Sequence, residues 1–374
     1  MTTEEAKEKL REYMALSQES KKEVRNDLRP VKTLRLPEYE KNRDIYTKAG
    51  LDAIKRGELA LLLLAGGMGT RLGFDGPKGT YPIDGDKSIF ECLSDNLRRD
   101  IGDIRLPFFI MTSDKNDEAT RAFFKEKNYF GYDPELIYFF RQEMAPACDF
   151  DGNLLFEGED VPATSPNGNG GFFTSLIKAG YGEVLKERGV KWLNVFGVDN
   201  VLARIADPAF LGAVIAEKKS AAVKAVLKKD PAENVGVVCE KNGHPSIVEY
   251  FELDESQANQ RDENGELLYC AGVTVNYLFD TSILLRTVEQ KMPVHKVKKK
   301  IPYIDQNGNL IKPSEPNGYK FEILITDILQ FFPDFLPVEV VREKEFAPVK
   351  NLHGADSVDT ARELLKARRD TDGD

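Results

Sequence analysis

The chain of 374 residues holds only four cysteines and three histidines, and it has no run of 18 or more apolar residues. Each shortage removes a class of protein. Cys92, Cys148, Cys239 and Cys270 stand far apart, with no CxxC pair and no histidine beside them, which argues against metal fingers and a disulfide framework and leaves buried thiols. His244, His295 and His353 are isolated, and they read as turn or surface residues. Without a long apolar run there is no candidate membrane helix, and the opening MTTEEAKEKLREYM is a charged amphipathic pattern instead of a signal peptide. A cytoplasmic protein is therefore expected. Net charge is −10, which argues against nucleic acid as a bulk partner, because phosphate backbones are bound by excess Lys and Arg. The one basic cluster, Lys296 to Lys300, runs into Ile301 and Tyr303 and reads as a solvated strand edge. The alternative is a positive wall for a small phosphorylated ligand.

What remains is an ordinary globular composition, 41% hydrophobic and 30% charged. Leu10, Tyr13, Met14 and Leu16 among many Glu and Lys predict an amphipathic helix over about residues 3–28. Apolar runs at 59–64, 107–112, 136–140, 192–198 and 221–227 predict strands. Helical patterns fall at 88–98, 116–127, 172–188 and 208–218, several behind Asp or Ser caps. This alternation implies βαβ units and an α/β fold with a mostly parallel central sheet, whose ligands bind outside the carboxyl ends of the strands. The Asn242-Gly243 turn between β-rich runs 235–240 and 246–252 predicts a hairpin. With the run 267–279, it predicts an antiparallel flap beside the sheet. The expected divisions are an N-terminal helical arm (1–45), a central domain (46–335) and a short C-terminal region (336–374) that ends in a charged tail, RRDTDGD.

The stretch LLLLAGGMGTRLG, Leu61 to Gly73, sets a greasy run against a glycine-rich loop. A Walker A loop is absent, since the lysine comes only at Lys78 after Gly76-Pro77. The dinucleotide fingerprint also misses, because Gly67 and Gly69 fit but Leu72 occupies the third glycine's place. What is left is a loop whose backbone N–H groups can cradle phosphate oxygens, with Arg71 and Lys78 as cations. That chemistry suits a nucleoside triphosphate.

LAGGMGTRLGFDGPKG (Leu64 to Gly79) resembles the signature of the eukaryotic-type UDP-sugar pyrophosphorylases, and is most similar to their UDP-N-acetylglucosamine branch. FRQEMAPACDFDG, SPNGNGG, FGVDNVLARIADPAF, IVEYFEL, KVKKKIPYIDQNGNLIKPSEPNGYKFE and EFAPVKN resemble that family in the same order. The resemblance implies a Rossmann-like sheet of the GT-A type. It also implies a reaction in which a sugar 1-phosphate oxygen attacks the α-phosphorus of UTP and pyrophosphate leaves. The nucleophile is already an anion, so the task is positioning and neutralising charge.

The family's roles carry over to matching positions. The resemblance assigns catalytic cations to Arg71, Lys78, Lys320 and Lys350, although a lone lysine is usually a solvated surface charge and Arg71 fits a loop-bracing role equally. Asp199 matches the family's aspartate for a divalent cation, Mg²⁺ or Mn²⁺, and otherwise would cap the next segment. The rival pair Asp84-Gly85-Asp86 reads as a turn before the helix near Ser88. Nucleotide contacts fall to Leu64, Ala65, Gly66, Gly67, Gly69, Thr70, Gln142 and Gly168, and sugar contacts to Asn169, Glu249 and Asn276. The chain departs from the usual pattern at Asn167, where an aspartate is common, and in its shortened C-terminal region. The substrates implied are UTP and N-acetylglucosamine 1-phosphate or its galactosamine epimer, with a UDP-sugar and pyrophosphate as products. Alternatives are a UDP-glucose pyrophosphorylase, whose loops run NGGLGTSMG and GHGD, a UDP-sugar-binding protein without turnover, or a glycosyltransferase.

Overall fold

A computed structural model describes residues 1–20, 28–250 and 252–372. The chain forms two compact units: Met1–Asn26 with Gln142–Ser175 and Thr287–Ile328, and Asp27–Arg141 with Leu176–Arg286 and Leu329–Asp374. Among the described residues, no helix is long and apolar enough to cross a membrane.

The larger unit is built on a 10-stranded sheet. Its strands are β1 (Leu28–Pro30), β2 (Leu59–Leu64), β3 (Phe108–Thr112), β4 (Ile137–Arg141), β5 (Trp192–Gly197), β6 (Ala221–Leu227), β7 (Val237–Lys241), β8 (His244–Val248), β9 (Ala271–Asp280) and β10 (Leu336–Glu339). Every residue of β2 and β3 is buried, as an apolar run without polar alternation requires. The strands β5, β2, β3 and β4 lie side by side and parallel. All five strands expected from apolar runs form within a residue or two of their predicted ends.

Beyond β5 the sheet is mixed, antiparallel except that β6 and β10 pair in parallel. The run predicted for a flap is instead β9, paired with β5 on one side and β6 on the other. Its near-continuous apolar sequence needs cover on both faces, which the middle of a sheet supplies and a solvent-facing flap does not. The predicted hairpin does form, as β7 and β8, with Asn242 (φ 52°) and Gly243 (φ 80°) in the left-handed conformation of a two-residue turn. It pairs with β9 at Val237 and with β1, so it extends the central sheet.

Helix boundaries follow their caps. Ser88 accepts from the Glu91 N–H at 3.2 Å while the Glu91 carboxylate accepts from the Ser88 N–H at 2.8 Å, a reciprocal cap on Ile89–Ile101. Asp207 caps Pro208–Ala216 through the Ala209 N–H at 3.1 Å. The helix Arg43–Lys55 crosses Pro208–Ala216 at backbone contact: a Cβ on Gly50 would lie 1.8 Å from the Pro208 carbonyl oxygen, and one on Gly212 1.7 Å from that of Tyr46.

Three helix expectations change. The segment 172–188 is two helices, Phe172–Lys178 and Gly182–Glu187, broken at Gly180 (φ 85°). The N-terminal helix is Thr3–Ser20, and Leu28 already belongs to β1, while residues 21–27 lie outside the described residues. The supposed charged tail is helical through Asp372, because Val358, Ala361 and Leu365 make a buried stripe at helical spacing. There Arg368 donates to Asn96 Oδ1 at 2.9 Å, and Arg369 pairs with Asp84, which confirms the Asp84-Gly85-Asp86 segment as a structural turn with Gly85 at φ 59°.

The smaller unit packs Leu10 and Tyr13 of the N-terminal helix against Ala145, Cys148, Val294 and Phe321. Its three-stranded sheet orders His295–Lys299, Gly318–Glu322 and Cys148–Asp149. The basic cluster is thus an edge strand whose lysines lie over aromatic rings, Lys296 Nζ 5.1 Å from the Tyr319 centroid and Lys298 Nζ 5.7 Å from that of Phe150. The cysteines are all free; Cys92, Cys148 and Cys239 are buried as expected, burial pushing the first two thiols up to about 11 and the third to about 12, whereas Cys270 is half-buried, its thiol also raised by desolvation. His244 and His353 are exposed, and half-buried His295 meets Asp327 Oδ2 at 2.8 Å.

Glu58 ties the starts of β2 and β5 together. Its carbonyl accepts from the N–H groups of Lys191 and Trp192 at 2.8 and 2.9 Å, and its carboxylate accepts from Arg56 (2.9 and 3.0 Å) and Lys191 Nζ (2.8 Å). The Arg56 guanidinium, helped by Lys191, holds the Glu58 carboxyl down to about 2 against the opposing effect of burial. A depressed carboxyl stabilises the fold above its unfolded value near 4.5, and that contribution disappears as pH falls toward 2.

Two outcomes are expected in urea unfolding. Gly212→Ala forces the two helices apart and should cost about 2 kcal/mol or more. Glu58→Gln should cost only about 0.5–1 kcal/mol at pH 7, because both cations are more than half exposed and screened by water. That difference should hold down to about pH 5 and vanish as the Glu58 carboxyl protonates.

Candidate functional site

The strand β2 ends at buried Leu64, and the chain then enters the glycine loop. The carbonyls at the start of this loop are all taken. Asn116 Nδ2 donates to Ala65 O at 2.8 Å and Gly67 O at 3.2 Å, and Ser113 Oγ donates to Gly66 O at 2.8 Å. The Lys78 N–H also reaches Gly67 O at 3.0 Å, and the Gly69 N–H reaches Gly76 O at 2.8 Å, so the loop closes on itself as a narrow ribbon. Among the described residues, no protein acceptor meets the N–H of Gly66, Gly67 or Met68. With its carbonyls fixed and these donors unspent, the loop has the polarity of an anion cradle.

Thr70, Arg71 and Leu72 form a 3₁₀ turn at the tip, with Arg71 exposed and Leu72 buried as its anchor. Lys78 starts a second such turn and is half-buried. Neither Arg71 nor Lys78 has a carboxylate within ion-pair distance among the described residues.

Asp199 stands next door because β2 and β5 are parallel neighbours with Leu64 opposite Gly197. Its half-buried carboxylate has no hydrogen-bond partner among the described residues, so the helix-capping alternative does not hold. Its carbonyl accepts from the Val349 N–H at 2.8 Å, and Asn200 bridges to Pro348. Lys350 is thereby brought to the same strand end, where its Nζ pairs with Asp356 Oδ2 at 2.9 Å. The loop, Lys78, Asp199 and Lys350 therefore share the carboxyl edge of the parallel block. In the same unit, Asn276 on β9 lies opposite Phe196 and is fully buried, donating to Arg204 O at 2.9 Å and accepting from Asn194 Nδ2 at 2.7 Å. Glu249 follows β8 and is half-buried, with its N–H on Glu252 Oε2 at 2.8 Å.

The remaining candidates belong to the smaller unit. Buried Gln142 donates through Nε2 to Gly168 O. Gly168 has φ 92°, and a Cβ there would lie 2.3 Å from Ile323 O, so only glycine fits. Asn169 Oδ1 accepts from the Ile325 N–H at 3.0 Å, and half-buried Lys320 lies opposite Val297 in the sheet. Asn167, the departure from the family pattern, is buried against Gly171, and its Oδ1 has no hydrogen-bond partner among the described residues.

Sequence reasoning missed Ser113 and Asn116. Asn116 reads as the cap of the helix Asp117–Glu126, yet its side chain makes no capping bond to that helix and is spent on the loop instead. Its only sequence signal, Asn before an acidic first turn, is shared with ordinary caps. Asn116→Ala leaves Ala65 O without its side-chain donor and Gly67 O with the Lys78 N–H alone, and should lower stability by about 1–3 kcal/mol in urea titration. Asn116→Asp should cost more, because it sets a carboxylate against those carbonyls.

The family described as UTP–glucose-1-phosphate uridylyltransferase matches residues 5–366. The chain is 39% identical over 338 residues to the mouse UDP-N-acetylhexosamine pyrophosphorylase-like protein 1, covering 86% of this chain and 67% of that protein. It is 40% identical over 339 residues to the Saccharomyces cerevisiae UDP-N-acetylglucosamine pyrophosphorylase, covering 86% of this chain and 71% of the yeast protein. It thus spans about two thirds of the length of such relatives, 66–71%. The crystal structure of the Trypanosoma brucei UDP-N-acetylglucosamine pyrophosphorylase in complex with an inhibitor superimposes with a TM-score of 0.83 at 30% identity, covering 97% of this chain and 76% of that one. With a matching loop, a matching fold and matches over most of its length, the chain belongs to the UTP–glucose-1-phosphate uridylyltransferase family.

Proposed function

We propose that this chain transfers UMP from UTP to N-acetylglucosamine 1-phosphate or N-acetylgalactosamine 1-phosphate, giving the UDP-sugar and pyrophosphate. One observation carries the reading. At the carboxyl ends of adjacent parallel strands stand N–H groups, Lys78 and the Asp199 carboxylate, none of which has a partner among the described residues. Such an edge is where a Rossmann-like sheet of the GT-A type holds a nucleotide, and this supports that finer description of the fold. Relatives named for N-acetylhexosamine and N-acetylglucosamine, at 39% and 40% identity, support the acetylated sugar.

In the proposed step a phosphate oxygen of the sugar 1-phosphate forms a bond to the α-phosphorus of UTP. The bond from that phosphorus to the β-phosphate's bridging oxygen breaks, and pyrophosphate carries away the electron pair. The glycine loop binds phosphate oxygens through Gly66 and Gly67, while Lys78 and Lys350 offset the charge that gathers as the two anions meet. Arg71 at the loop tip and Lys320 are the remaining cations of this reading. Gln142 and Gly168 are assigned to the uracil, and Asn169, Glu249 and Asn276 to the sugar. Asn276 acts through the buried network that holds it.

No three His, Cys, Asp or Glu side chains among the described residues are grouped to hold a metal by themselves. A lone unpaired carboxylate suits Mg²⁺, which takes one or two carboxylates and completes its shell with substrate phosphates and water. Asp199 would hold it, or Mn²⁺, and the bound ion would neutralise phosphate charge.

Pyrophosphate release with Mg²⁺ present tests the assignment. The expected kcat/KM for N-acetylglucosamine 1-phosphate exceeds that for glucose 1-phosphate by about tenfold or more, and the reverse order would reject the acetylated sugar. Asp199→Ala and Lys350→Ala should each lower kcat by about 10²–10³ with the circular dichroism spectrum unchanged. Calorimetric binding of the UDP-sugar without any pyrophosphate release would identify a binding protein instead.

A further inference from the structure

The most deeply buried cation in the described structure lies behind the proposed site. Lys224, on β6, is 1% exposed, and its Nζ lies 2.6 Å from Asp207 Oδ2 and 2.5 Å from Glu345 Oε2. It also sits 5.4 Å from the Phe210 ring centroid. Both carboxylates are themselves at least nine-tenths buried. Arg204 Nη2, 3.6 Å from Asp207 Oδ1, and its partner Asp100 extend the network. Replacing such a group by apolar side chains is often neutral or stabilising, so its presence calls for a reason other than stability.

Its partners show what it joins. Asp207 caps the helix Pro208–Ala216, a few residues after β5 and Asp199. Glu345 opens the segment that ends at Lys350. The Glu345 carbonyl accepts from Asn200 Nδ2 at 2.8 Å, Asn200 Oδ1 accepts from the Ala347 N–H at 2.9 Å, and the Val349 N–H donates to Asp199 O at 2.8 Å. The third side of Lys224 faces β9. Between the pairs Val223 with Tyr277 and Ala225 with Val273, the single residue Lys224 stands opposite three, Thr274, Val275 and Asn276. Thr274 Oγ1 donates to Lys224 O at 2.8 Å. Val275 is left at φ 55°, a left-handed conformation rare for a β-branched residue, with a methyl 3.4 Å from where a Cβ on Gly197 would lie. Bulges of this kind re-aim side chains beside functional sites.

We infer that Lys224 is a positioning residue for the transfer step: by binding Asp207 and Glu345 together it sets the Lys350 segment against the Asp199 end of β5. This rests on the site proposed above. A bidentate cation with two fixed carboxylates allows one register of that segment, whereas apolar side chains allow several. Lys224 touches no substrate, so its effect should appear in turnover while substrate binding by other groups persists.

The test uses the full chain with all three charges neutralised together, Lys224→Met with Asp207→Asn and Glu345→Gln, so that no buried charge is left without a partner, Arg204 keeping Asp100. Asn at 207 retains the helix cap. The expected result is a melting temperature at or near the parent's, a kcat for pyrophosphate release lower by about tenfold or more, and a UTP KM within about threefold. Glu345→Gln alone, which keeps the Lys224–Asp207 pair, provides a second reading should the triple variant fail to fold; its kcat should fall by about threefold or more at unchanged KM. A folded variant with parental kcat overturns the inference, and so does a loss of activity that merely follows the melting curve. Asp199→Ala and Lys350→Ala, assayed in parallel, separate the two claims. If they abolish turnover while the neutralised network keeps it, only the positioning role falls; if they too keep parental turnover, the site itself is misplaced.

Discussion

Burial of β2 on both faces is the constraint from which the rest of the larger unit follows. A strand with no exposed side has to sit between other strands and under apolar packing on each face, and its neighbours β3 and β5 provide the flanking strands. Parallel pairing with β5 then sends two chain segments out of the same edge at the same height, Leu64 opposite Gly197. One becomes the glycine loop and the other carries Asp199. The hydrophobic effect, which favours no direction in space, is converted by strand register into a fixed placing of an anion cradle beside a carboxylate.

Polar groups refine that placement at short range. Asn116 and Ser113 occupy the loop carbonyls, which turns its N–H groups into the unspent ones. Asn200 takes two backbone groups of the segment 345–347, and Asp199 one of Val349, so a piece of chain distant in sequence delivers Lys350. The bonds of Asn116 to Ala65 and of Asn200 to Glu345 and Ala347 are buried, and each of these broken would leave an unsolvated partner. That cost is what makes the arrangement single-valued. The ionic group around Lys224 extends the same logic to charge. Burial would raise the Asp207 carboxyl, yet the Lys224 ammonium and the Arg204 guanidinium outweigh it and hold that carboxyl low. Asp100, with less cation around it, is left raised by its burial.

Much of the parallel block was legible because its signals are local. The run of β2 is apolar throughout and that of β6 is apolar but for Lys224, and Ser88 and Asp207 mark helix starts by chemistry confined to four residues. The misreadings share one cause. Assigning the run 267–279 to a flap, joining 172–188 into one helix and treating the last residues as a tail were judgements about what lay around those segments. Asn116 shows the same limit within the site, since an asparagine before a helix looks alike whether it caps that helix or grips a loop some fifty residues upstream.

The sequence by itself determined the α/β class, the strand that ends in the glycine loop and the kinds of side chain available for phosphate, through hydrophobic period and turn chemistry. Only the tertiary structure decided that the Lys78 and Asp199 side chains carry no partner among the described residues while Lys350 pairs with Asp356 and Asn276 is locked to Asn194 and Arg204. The physical reason is range. A periodic pattern is written within a dozen residues, but whether a charge meets an opposite charge, water or a ligand depends on residues up to a hundred or more positions away that folding alone brings within 3 Å.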